Sequence, residues 1–239
     1  MIGPRAPFLS LVLALPVALA TPVASQDIAA AELSLPTDRY DHAVLGDALE
    51  WGGLDLTLTT GKRVRFTLPQ TRVFEDITAR LADLNGDGAP EVVVVETDIT
   101  KGGSLAVYDA SGKRAATPHI GQTHRWLAPA GIGDFDGDGR VEIAYVDRPH
   151  LARELVFVRL DDNRLTEIAR LPGFTNHQIG DAEIWGGTRS CDGRDSLILA
   201  SADWSRMLEI TLTVDGPKIT DLGPLRRKPD LTRATQRCR

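Results

Sequence analysis

Gly133-Asp134-Phe135-Asp136-Gly137-Asp138-Gly139-Arg140-Val141-Glu142 alternates carboxylates with glycines and runs straight into the apolar segment Ile143-Ala144-Tyr145-Val146. Acids at every second position, with glycine between, let a tightly curled loop aim several oxygens at one point. A hard cation such as Ca²⁺ is held in this way, because it takes six to eight oxygen ligands. A near copy stands earlier, Asp83-Leu84-Asn85-Gly86-Asp87-Gly88-Ala89-Pro90-Glu91, followed by Val92 to Val95. A helix-loop-helix calcium hand would need a bidentate Glu at loop position twelve. Counted from Asp83 that position is Val94, and from Asp134 it is Tyr145; both copies place Glu at position nine, as Glu91 and Glu142. The flanking segments are short, apolar and β-branched, which is strand chemistry. Each loop therefore joins two strands, and neither is an EF-hand.

Outward from these loops the chain keeps the same texture. Leu54, Leu56 and Leu58 alternate with polar residues, Thr59 to Lys62 makes a turn, and Val64, Phe66 and Leu68 alternate again, predicting a hairpin with one buried face. Strands are predicted at 104–108, 154–160, 165–168, 196–200, 207–212 and 218–220, separated by Gly, Asp and Asn turns. Helix-period stretches are nearly absent, so the fold class is all-β. An apolar residue, Gly or Ala, then Asp recurs at Asp47, Asp83, Asp134 and Asp181, with spacings of 36, 51 and 47 residues. Periods of about 40–50 residues built from four short strands mark β-propeller blades. Gly46 to Gly53 also matches Gly180 to Gly187 in six of eight positions.

The acidic loop between strands, repeated at blade spacing, resembles the FG-GAP/VCBS repeat of integrin α-subunit propellers and of many secreted bacterial proteins. The resemblance covers most of residues 40–222, with the full motif in two rounds. It implies a small β-propeller of about four blades, with five as the other count, and Ca²⁺ in the hairpin loops. The implied side-chain ligands are Asp83, Asn85, Asp87 and Glu91 in one loop, and Asp134, Asp136, Asp138 and Glu142 in the other. Backbone carbonyls of Ala89 and Arg140 complete the spheres. About two structural Ca²⁺ sites are expected, and neither Asp47 nor Asp181 is assigned an ion. Without a cation, three or four acids fixed in one turn would repel one another.

Export is read from the N-terminus. Phe8 to Ala20 is a continuous apolar run after a single Arg, and Ala18-Leu19-Ala20 or Val23-Ala24-Ser25 offers small residues before a cleavage point. That is the layout of a secretory signal peptide, and the run is short for a membrane span; an uncleaved N-terminal anchor is the alternative. The organisation expected is a signal peptide over 1–25, a leader with little structure over 26–38, the propeller over 39–223 and a basic, solvated tail over 224–239. No membrane span is expected after cleavage, and periplasm and medium are equally open. In an oxidising compartment Cys191 and Cys238 could bridge and pin the tail to the last repeat; two free thiols are the alternative.

A net charge of −6 argues against nucleic acid, which needs clustered Lys and Arg. His42, His119, His124, His150 and His177 are scattered and read as packing or hydrogen-bonding groups, and no nucleophile elbow or His-Glu-x-x-His occurs. Trp51, Trp126, Trp185 and Trp204, roughly one per blade, read as core before they read as a sugar-binding rim. The function expected is an exported, calcium-stabilised, non-catalytic binding or scaffold module for a protein or glycan ligand. A lectin-like propeller is the alternative, and an extracytoplasmic enzyme on the same scaffold a more distant one.

Overall fold

The computed structural model describes Gly3, residues 27–46 and residues 49–238. The signal-peptide reading over 1–25 and the Asp47 repeat mark lie outside the described residues. Strands dominate, as the alternating and β-branched segments require. The first unit holds β1 (Ile28–Thr37), β2 (Glu50–Leu58) and β3 (Arg63–Thr67), and a short β4 (Arg72–Phe74) follows. The second unit is β5 (Arg80–Ala82), β6 (Glu91–Asp98), β7 (Gly102–Asp109) and β8 (Gly112–Ala116). The third is β9 (Leu127–Gly133), β10 (Glu142–Asp147), β11 (Glu154–Asp161) and β12 (Arg164–Pro172). After a short β13 (Phe174–Thr175), the fourth unit is β14 (Gly187–Cys191), β15 (Arg194–Ser201), β16 (Arg206–Thr213) and β17 (Gly216–Pro224), and α1 (Pro229–Thr235) follows it.

Each unit is an antiparallel meander, so the fold is all-β and small-propeller-like. β4 pairs with β2 through Trp51 and Phe74 and with β6 through Arg72 to Phe74, joining the first two units into one eight-stranded sheet. The core lies between sheets. Val93 and Val95 of β6 pack with Ile143 and Tyr145 of β10, whereas Val92 and Val94 face Leu54, Leu56 and Phe74 of the first unit. Ala144 and Val146 point the other way, onto Leu197 and Leu199 of β15. A strand buried on both faces reads as an unbroken apolar run, which is why Val92 to Val95 does not alternate.

Three expectations change. The leader expected to hold little structure forms β1, in register with β2 from Ile28–Leu58 to Thr37–Glu50. The tail expected to be solvated carries α1, whose Leu231 is fully buried against Ile198 and Ala200, and Cys191 and Cys238 are bridged at a Cα separation of 5.5 Å. Asp181 precedes β14 instead of following the first strand of its blade, because the β14–β15 turn is the short Asp192-Gly193. The second strands begin at Glu91, Glu142 and Arg194, so the true period is 51 (142 − 91) and 52 (194 − 142) residues. The 47-residue step was a coincidence of motif. Among the described residues no helix is long and apolar enough to cross a membrane.

Candidate cation loops and a histidine cleft

The two acidic loops lie at the same end of their blades, between β5 and β6 and between β9 and β10, and they fold alike. In the first, Asp83 accepts the amides of Gly86 and Gly88 at 2.8 and 2.9 Å, Asn85 that of Asp87, Asp87 that of Ala89, and Glu91 that of Leu84. In the second, Asp134 accepts Gly137 and Gly139 at 2.7 and 2.8 Å, Asp136 that of Asp138, Asp138 that of Arg140, and Glu142 that of Phe135. The curl needs left-handed backbone at Gly86 and Gly88 (φ +77° and +89°) and again at Gly137 and Gly139 (+78° and +85°), where a side chain would be strained.

The residues present fit calcium. Oxygens bound to one Ca²⁺ at 2.3–2.6 Å lie within about 5 Å of each other, and one carboxylate oxygen from each of Asp134, Asp136 and Asp138 does so, within 4.8 Å. Glu91 and Glu142 sit at the buried floor of their loops, at 3% and 0% exposure. Burial pushes both carboxyls up; at Glu91 the charges of Asp87 and Asp83 add to it, and at Glu142 that of Asp136 does. The loops differ in one respect. The Arg159 guanidinium, reaching over from β11, bonds Glu142 and Asp136 and lies 3.1 Å from Asp138, where it neutralises the second loop from within. It helps hold Asp138 down against burial. The first loop feels Arg114 only as a more distant charge, since Arg114 pairs with Asp109.

The opposite end of the sheets carries a constellation that the sequence reading scattered. His42 lies before β2, Glu75 follows β4, His124 and Trp126 lead into β9, His150 sits in the β10–β11 loop, and His177 follows β13. They converge. His42 Nδ1 is bonded to Glu75, whose other oxygen accepts Thr97 Oγ1 at 2.6 Å. His124 Nε2 is 3.0 Å from Asp41 Oδ1, and its ring lies 5.2 Å from that of His42. His177 Nε2 donates to the Asp181 carbonyl at 2.8 Å, and His150 Nε2 is 3.0 Å from His177 Nδ1. The Trp126 ring packs against those of His150 and His177, at centroid separations of 6.5 and 4.9 Å, and its indole N–H donates to the Glu75 carbonyl. His42, His124 and His150 line one cavity of about 30 Å³ together with Trp126, Leu151 and the two cationic residues Arg125 and Arg148. Burial, His177 and His42 hold His150 down at about 4, and burial raises Glu75 despite its His42 partner. The signal that could have found this end is the blade period itself, for Glu75, Trp126 and His177 are spaced 51 and 51 residues.

Each tryptophan packs against a core cluster. Trp126 is buried, Trp51 packs on the first-unit core, and Trp185 and Trp204 pack beside Leu231. Residues 83–145, which contain both acidic loops, match the FG-GAP-like repeat family. No curated protein matches the chain significantly.

Proposed function

Because the chain is an FG-GAP repeat-containing protein, we propose that it is an exported binding module whose β-propeller-like fold is stiffened by calcium. The observation that carries this reading is the pair of acidic loops with one hydrogen-bond pattern. In one of them, three carboxylate oxygens already lie within the reach of a single ion. Asp83, Asn85, Asp87 and Glu91 would hold one Ca²⁺, and Asp134, Asp136, Asp138 and Glu142 a second, with the carbonyls of Ala89 and Arg140 completing each set. The role is structural. The carboxylates also accept the loop's own amides, and an ion held on their remaining lone pairs ties the first strand of a blade to its second. Arg159 must swing off Asp136 and Asp138 for the second ion to enter, so the first loop binds more readily.

Export is supported by the apolar run over 8–20 and by the Cys191–Cys238 bridge, which persists in oxidising compartments. The ligand we favour is a protein, because each of the four tryptophans packs on a core cluster, Trp126 buried and Trp51, Trp185 and Trp204 half-buried. The test is thermal unfolding with excess Ca²⁺ and then with chelator. A ligand at 100 times its dissociation constant adds about 2.7 kcal/mol per site, or roughly 5–10 °C in Tm for a chain of this size. Asp83→Ala and Asp134→Ala should each remove part of the gain. A Tm indifferent to Ca²⁺, with no metal retained by mass spectrometry, would overturn the calcium reading.

A further inference from the structure

We propose that the cleft between the C-terminal tail and the fourth unit docks an acidic segment of a protein partner, one that carries two or more carboxylates beside aliphatic side chains. The proposal gives a place and a chemistry to the protein ligand favoured above and rests on that reading, but it needs no calcium. The cleft, of about 600 Å³, lies between α1 with its flanking residues and strands β14, β16 and β17. Its charged lining is Arg189, Arg226, Arg227, Arg233 and Arg237 against Asp230 alone. That is a surplus of four positive charges, of which Glu209 behind Arg189 offsets one, in a chain whose net charge is −6. The disulfide fixes the arrangement, for Cys191 stands two residues beyond Arg189 on β14 and Cys238 directly follows Arg237.

The deciding observation is the state of Arg189. It is buried, at 7% exposure, and its guanidinium bonds Glu209 through one terminal nitrogen. Its Nε–H is buried too and has no acceptor among the described residues. Buried N–H groups are ordinarily satisfied, because a bare one has lost its water and gained nothing in return. A guanidinium offers its donors as a planar fork that fits a carboxylate through two bonds, so a carboxylate from outside the chain would answer this deficit. The rim repeats it. Asp230 serves two guanidiniums, Arg227 at 3.5 Å and Arg233, while the side chains of Arg226 and Arg237 make no ion pair among the described residues. Between the charges stand Met207, Leu222, Pro224 and Ala234, a lining for aliphatic side chains to which the unbranched methionine adapts. A sugar chain would bury hydroxyls there without partners. A lone inorganic anion would leave most of the cleft unfilled, since its volume is on the scale of pockets that enclose many-atom ligands.

The experiment titrates the purified, untagged chain, in excess Ca²⁺ and again in chelator, into a fluorescein-labelled peptide of alternating Glu and Leu, and reads fluorescence anisotropy. One peptide should saturate each chain, and binding should weaken as NaCl is raised from about 50 to about 300 mM. The same peptide with Gln for every Glu should bind about tenfold more weakly or worse. Arg226→Gln with Arg237→Gln, both on exposed residues, should cost about tenfold while the far-ultraviolet circular dichroism stays unchanged. Arg189→Lys, which keeps the charge and loses the fork, should weaken binding by about as much. Lys62→Gln with Arg63→Gln, an equal loss of charge at exposed residues of the first unit, should change nothing. Absence of binding would overturn the proposal, as would equal binding of the Gln peptide or a double Arg226 and Arg237 variant as tight as the wild-type chain. A sulfated oligosaccharide that binds through the same arginines more tightly than the peptide would overturn it in favour of a glycan. Peptide binding by a chain whose Tm ignores Ca²⁺ would uphold the cleft and sink the calcium reading, and a calcium-dependent Tm without peptide binding would do the reverse.

Discussion

Glu96 is an acid the core cannot hold without help. It is buried, and burial alone would raise its pKa, yet the Tyr108 hydroxyl at 2.5 Å, the Lys113 amine at 2.9 Å and the Arg72 guanidinium at 2.6 Å outweigh burial and leave it below the usual carboxylate range. A depressed folded pKa means the contribution is fully present above the ordinary value of 4.5 and is lost as pH falls through the lower folded value. Glu96→Gln should lower stability at pH 7 by about 1.5–3 kcal/mol. Between pH 5 and pH 3 its stability should also fall less steeply than that of the wild-type chain, as read by urea unfolding at stepped pH. Parallel curves would refute the pairing. None of this network was legible in the sequence, because its partners stand 12, 17 and 24 residues from Glu96 and meet only when β4, β6, β7 and β8 pair. The loop acids were legible because a curled turn brings ligands together within nine residues. Arg159 was not, since its side chain enters that loop from the neighbouring β11. The histidines fall on the same divide: five residues scattered along the chain, four of which the blade tops gather into one cleft.

Elements announced themselves where side chains alternate or branch. The hairpin from Leu54 to Leu68 and the valine run of β6 were placed correctly because burial on one face or on two dictates those patterns. β1 escaped notice because Ala29-Ala30-Ala31, after the single branched Ile28, is small and unbranched, and its strand state comes from pairing with β2. The helix α1 was missed because it has 7 residues, too few to show a helical period. Its hold on the fold rests on Leu231 and on the disulfide, which joins residues 47 apart in sequence. A closed loop of that size is worth about 4 kcal/mol by loss of unfolded-chain entropy, and about 2–4 kcal/mol is typical. Cys191→Ser with Cys238→Ser should therefore lower stability by about that amount under oxidising conditions and become insensitive to reductant. Leu231→Ala should cost about 2–5 kcal/mol more, because Leu231 fills the gap between α1 and β15. If reduction left the wild-type unfolding curve unmoved, the bridge would be ornamental.

At the scale of the molecule, the units stack so that alternate residues of one strand serve the cores on either side, and the acidic loops fall at one end with the histidines at the other. The echo between Gly46–Gly53 and Gly180–Gly187 has a spatial counterpart, since the Gly180 amide donates to the Val44 carbonyl at 3.0 Å and the first echoed segment touches the last. A Cβ at Gly46 would lie 2.6 Å from the Gly180 carbonyl, with φ at +80° besides, so this contact tolerates no larger residue. The outer strand of the first unit sets where the chain can be cut. Ile28 of β1 is buried beside Leu54, Leu56 and Leu58, and β1 covers the free side of β2 along nearly its whole length. Cleavage after Ala20 or after Ser25 would spare this strand, and cleavage a few residues later would not. On the proposed export, mass measurement of the mature chain should therefore find a new N-terminus ahead of Ile28. A chain begun at Asp38 should lose the burial of Ile28, worth about 1.5–3 kcal/mol. It should also self-associate on dilution-controlled light scattering, because β2 would then present an uncovered edge to other chains. An exported product starting beyond Thr37 that stays monomeric and as stable as the longer chain would show that β1 is dispensable to the first unit.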